Sequence, residues 1–142
     1  MPSLFTKSFA GTGTSDKYEY VTDGIYIGEL VSFDEGRPYV NPNEPDAEPE
    51  PKVRWSWNLY QLDGTTPVMN AGAQVVISEQ TSTKTGPKAT APAWFSSHLK
   101  RAWDNRENLE DTQQECIGKR VMLNITTKVS GYKKVDVLQG VA

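Results

Sequence analysis

The sequence predicts a mainly β protein, a five-stranded β-barrel with one α-helix between its third and fourth strands. Three observations carry that expectation. Lys52 to Leu62 alternates apolar and polar residues, Pro92 to Arg106 shows helical spacing, and a pair of strand-like runs closes the chain around Ser130-Gly131. A chain of 142 residues, 37% hydrophobic and with four tryptophans, can bury one core but hardly two. Residues 18–142 therefore read as a single domain, behind a flexible arm over residues 1–17 that is rich in Gly, Thr and Ser from Gly11 to Ser15. A mean hydropathy of -0.57 points to long polar loops around the core.

The first strand is the dense run of aromatic and β-branched residues from Tyr18 to Phe33, long and curved, with Gly28 as its bend or bulge. Asp34 to Pro51 follows, where five prolines and six carboxylates remove backbone donors and repel one another. It reads as an irregular loop or insertion, whether a solvated linker, a docking site for a basic partner or an internal mimic of nucleic acid. In the second strand Val53, Trp55, Trp57 and Leu59 share one face, and Arg54, Ser56, Asn58 and Tyr60 the other. The two tryptophans fit a core, and stacking platforms remain the alternative. Asp63-Gly64 makes a turn, and a third run passes through Val68 and Met69 to Gln74–Ser78.

A polar loop from Glu79 to Ala91 leads into the helix, for which Pro92 suits the first turn because its missing N–H is not needed there. Acidic polar sequence then reads as a solvated helix end and loop. Val121, Leu123 and Ile125 are in phase on the fourth strand, and Lys134 to Leu138 supplies the fifth. Strand, strand, strand, helix, strand, strand is the order of an OB barrel. A generic α+β sheet would give the same order.

Charge is distributed unevenly. Residues 1–51 hold three basic against ten acidic residues, a net of -7, whereas residues 52–142 hold twelve against eight, a net of +4. A polyanion responds to the local field within about 8 Å at physiological salt rather than to the total of -3. The cationic half supplies the candidates for binding single-stranded nucleic acid, which needs cations for phosphates and aromatic faces for bases. They are Arg54 and Tyr60 on the polar face of the second strand; Lys84 and Lys88 in the loop before the helix; Arg120 in outward phase with Lys128; and Tyr132, Lys133 and Lys134 in the final hairpin. Lysines along a sheet edge also discourage aggregation, and loop lysines also serve solubility.

Enzyme chemistry finds no foothold in this pattern. No GxSxG, HExxH or phosphate-loop string occurs, and Gly11-Thr12-Gly13 neither follows a strand nor opens a helix. His98 has no His or Cys at metal-ligand spacing and reads as a surface or half-buried helix residue. No metal or cofactor is expected. One cysteine, Cys116, no basic and apolar leader in MPSLFTKSFAGTG, and no run of 18 apolar residues lead us to expect a cytoplasmic protein without membrane contact.

Several short motifs carry a resemblance. Asp23-Gly24-Ile25-Tyr26, the Val53 to Tyr60 strand, Thr85-Gly86-Pro87-Lys88, Ile117-Gly118-Lys119-Arg120-Val121-Met122-Leu123 and Gly131-Tyr132-Lys133-Lys134-Val135 together resemble small phage-encoded OB-fold proteins, similar to single-stranded-DNA-binding proteins of phage replication and recombination. The resemblance covers most of residues 18–140. It implies single-stranded DNA as partner, with replication or recombination proteins beside it, and a place in the host cytoplasm. Pro42 to Pro51 departs from that pattern as an insertion, and the final residues VLQGVA lack the acidic tail by which many single-strand binders recruit partners. The alternative function is a phage protein-interaction module, of the virion or of host takeover.

Overall fold

The computed structural model describes residues 18–86 and 88–141. The arm expected over residues 1–17, as well as Pro87 and Ala142, lies outside them. Seven strands and two helices follow in the order β1 (Gly24–Glu35), β2 (Lys52–Tyr60), β3 (Met69–Asn70), β4 (Ala73–Gln74), β5 (Val76–Ser82), α1 (Thr90–Leu99), α2 (Leu109–Cys116), β6 (Arg120–Thr127) and β7 (Lys133–Val141). Five of the strands form one antiparallel sheet in the order β5-β2-β1-β6-β7, and β3 and β4 form a separate small ribbon.

The mainly β class matches the sequence expectation, but the sheet does not close into a barrel. Its edges β5 and β7 share no ladder. They approach closely enough for the Val135 N–H of β7 to donate to Glu79 Oε1 of β5 at 2.8 Å. A side chain thus takes a donor that a closing ladder would have paired with a carbonyl, and the seam stays open.

The inward face of β2 is the one its alternation marked. Trp55, Trp57 and Leu59 are fully buried, with Leu30 and Phe33 from β1, Ile77 from β5, and Leu123 and Ile125 from β6. Trp55 lies 4.8 Å from Phe33 and 5.2 Å from Phe95 between ring centroids. The tryptophans are core residues. Deleting either ring would cost about 3 to 5 kcal/mol.

Four local expectations change. Gly28 is no bulge: it pairs in register with Leu59 and Val121, and a Cβ there would run into Leu123 and lie 3.1 Å from Trp57 Cβ. The irregularity falls instead between Leu30 and Ser32, which turns both Leu30 and Phe33 inward. β1 also continues through Asp34 and Glu35, and Tyr39 and Glu50 exchange backbone hydrogen bonds at 2.8 Å, so the acidic segment is laddered at its ends and irregular only between.

The single helix expected through Arg106 is two. α1 stops at Leu99 because Lys100 adopts a left-handed conformation, φ 58°, with its N–H returning to the Ser96 carbonyl. The acidic stretch beyond it, expected as loop, is α2. Asn108 caps it by accepting from the Asp111 N–H at 2.9 Å, and Glu110 and Asp111 complement the positive end of its dipole. α1 in turn packs on β7 closely enough that a Cβ on Gly140 would meet the Ser97 carbonyl oxygen.

His98, expected near the surface, is completely buried on α1. Its Nδ1 donates to the Trp94 carbonyl at 2.7 Å, which leaves Nε2 to accept from Trp57 Nε1 at 2.9 Å. Both ring nitrogens are satisfied only while the imidazole is neutral. Burial accordingly lowers its pKa to about 4.

Candidate nucleic-acid interface

The open seam gathers cations from distant parts of the chain. A groove of about 610 Å³ between β5 and β7 is lined by Lys52 at the start of β2, by Gln80 and Ser82 on β5, by Thr90 at the start of α1, and by Lys128 and Lys134 in the final hairpin. A second hollow of about 580 Å³ adjoins it, sharing Ser82 and Thr90, and adds Lys84 and Lys88 with Glu50. Five lysines and three carboxylates, Glu50, Glu79 and Asp136, line the two together. The local balance of +2 contrasts with the -3 of the chain.

The carboxylates are partly engaged. Glu79 holds the Val135 N–H, Asp136 lies 3.8 Å from Lys134, and Glu50 lies 3.7 Å from Lys52. Hydrogen bonding from Ser82 and the nearby Lys52 and Lys84 charges hold the Glu50 carboxyl below its ordinary pKa. Lys84, Lys88, Lys128 and Lys134 are exposed, and Trp94 reaches the groove with 7% of its surface.

The β6–β7 hairpin positions the rest. The Lys128 N–H donates to the Tyr132 carbonyl, and Gly131, at φ 92°, makes the turn that only glycine adopts without strain. Val129 is fully exposed at its tip and Tyr132 is 41% exposed. Lys133 behaves differently from its neighbours. It is buried, with Nζ 2.9 Å from Asp23 and 2.7 Å from Thr127 Oγ1, where it ties the hairpin to the start of β1. Hydrogen bonding from Thr127, then from Lys133, keeps the Asp23 carboxyl below its usual pKa.

Arg54, Tyr60 and Arg120 do not join this groove. They lie on the central strands, on the sheet face opposite the tryptophans. Arg54 is 7% exposed and its Nε has no hydrogen-bond partner. Arg120 stacks over Tyr60 at 4.7 Å, pairs with Glu29 at 3.0 Å and donates to the Gly64 carbonyl, which fastens the 61–66 turn to the sheet. Within that turn Asp63 accepts from Thr65 and Thr66, bonds that lower its pKa to about 2. The strand pattern placed Arg54 and Tyr60 on the outward face correctly but could not show that neighbours cover them.

Lys52, Gln80, Ser82 and Thr90 were absent from the sequence-based set. Lys52 was visible as the first residue of an alternating strand, but only the approach of β5 to β7 gives it company. Among the described residues no three His, Cys, Asp or Glu side chains gather as metal ligands do, and no helix is long and apolar enough to cross a membrane. Cys116 is buried, which raises its thiol pKa to about 12, far from a nucleophile's range. Compared with protein-family models, with curated proteins and with solved structures, the chain has no match.

Proposed function

We propose that this protein binds single-stranded nucleic acid, DNA foremost, without catalysing its turnover, along the lysine-lined seam between β5 and β7. The observation that carries the reading is convergence. Lysines far apart in sequence, Lys52, Lys84, Lys88, Lys128 and Lys134, line adjoining hollows that share Ser82 and Thr90. Such a track suits phosphates, while Tyr132 beside it offers a ring for a base. The finer fold reading belongs here as well: three long strands, a helical segment and two more strands form an OB-like arrangement, opened at the seam where the ligand lies. In keeping with the motif resemblance, the setting is phage replication or recombination in the host cytoplasm.

Oligo-dT titration tests the function. Binding at roughly 50 mM salt is expected to quench tryptophan fluorescence, and the log of affinity should fall linearly with the log of salt, with a slope of about -0.7 per phosphate neutralised. Absence of binding to oligo-dT, oligo-dA and single-stranded RNA at that salt would remove the reading. The protein-interaction module would then take its place.

A further inference from the structure

Resting on the nucleic-acid reading, we infer that the acidic excursion between β1 and β2 regulates the groove, with the Glu50 carboxylate occupying a position that a phosphate must take to bind. Three observations place it there. Glu50 lines the same hollow as Lys84 and Lys88, and its carboxylate lies 3.7 Å from Lys52, which lines the adjoining groove. It is also held in place by its backbone, since Tyr39 and Glu50 exchange two hydrogen bonds and Lys52 sits 5.9 Å from the Tyr39 ring centroid. Finally, Glu48-Pro49-Glu50-Pro51 places each of these glutamates before a proline, which holds it extended and prevents the segment from folding its charges away into a helix.

The physical consequence is an intramolecular competition. An incoming phosphate must displace or out-compete a carboxylate tethered beside the lysines it needs. The apparent affinity is then lower than the intrinsic one by the fraction of molecules in which the lysines are free. Lys52 and Glu50 are partly exposed, so the contact is modest and sensitive to salt. The groove would exclude weak or single anions and admit a polyanion that engages several lysines at once.

The test compares oligo-dT affinity in the full chain for wild type, Glu50→Gln and Asp46→Asn. Both substitutions remove one negative charge, but Asp46 lies at the exposed far end of the excursion. Glu50→Gln should bind about two- to fivefold more tightly at low salt, with the gain shrinking towards none as salt screens the pair. Asp46→Asn should change affinity by less than about 1.5-fold. Equal gains from both variants would reduce the effect to net charge and overturn the proposal, as would an unchanged affinity for Glu50→Gln. Loss of the nucleic-acid reading looks different, because then neither wild type nor either variant binds.

Discussion

At the scale of single residues, burial decides which chemistry survives, and His98 is the clearest case. Its position on α1 was plain from the helical spacing, but its depth was not, because a lone histidine carries no mark of what lies above it. Only the packing of α1 over Trp55 and Trp57 shows that its imidazole is a neutral hydrogen-bond relay in the core. A pH dependence follows. The folded pKa near 4 lies below the ordinary 6.5, so the unfolded chain binds more protons between those values. Stability is full above about pH 6.5 and falls as pH drops towards 4, by about 3 kcal/mol in all. His98 is the only histidine, and the lowered carboxylates Glu50 and Glu107 begin to matter only below their ordinary value of 4.5. Thermal melts of wild type should therefore decline from pH 7 to pH 4.5, whereas His98→Gln should melt lower at pH 7 and change much less over that range. A parallel decline in the variant would show that the imidazole does not carry the effect.

At the scale of elements, what could be read from the sequence tracks how local the determining interactions are. The alternation of β2 is a property of nine consecutive residues, and it gave the strand, its inward face and its core tryptophans. The bulge beyond Leu30 and the break after Leu99 depend on contacts across the sheet and on one left-handed residue, Lys100, whose side chain does not announce that conformation. The acidic segment shows both kinds. Its prolines and carboxylates marked it as lacking apolar area, but the Tyr39 and Glu50 pairing that anchors it is a tertiary contact. That pairing sets where the excursion can be cut. Replacing residues 41–49 with a short Gly/Ser linker should leave the melting temperature nearly unchanged, since loop-closure entropy depends only weakly on length. Extending the replacement through Pro51 removes Glu50 and its two backbone bonds, and should cost about 1 to 3 kcal/mol in a denaturant titration. A large loss from the shorter replacement would mean that the excursion packs on the sheet.

At the scale of the whole molecule, the sequence carried the uneven charge and the order of elements, but it could not say which lysines meet. Lys133 and Lys134 are adjacent in the chain, yet one is buried against Asp23 and the other lines the groove, because successive residues of a strand point to opposite faces. Conversely, Lys84 and Lys128 are far apart in sequence and come together only because the sheet curls. If the adjoining hollows form one track, a single oligonucleotide spans both loops, and each pair of lysines should contribute to the same salt dependence. Lys84→Ala with Lys88→Ala, and separately Lys128→Ala with Lys134→Ala, should each make the log-log salt slope for oligo-dT shallower by roughly one unit, and the four substitutions together by roughly two. Lys133→Ala should instead lower stability, through loss of the tie to Asp23 and Thr127, with less effect on the slope. Tyr132→Ala acts through stacking and should weaken binding by roughly 1 to 3 kcal/mol with the slope little changed. A slope that responds to one pair and not to the other would confine the ligand to one hollow, and the seam would then be two sites rather than a continuous path.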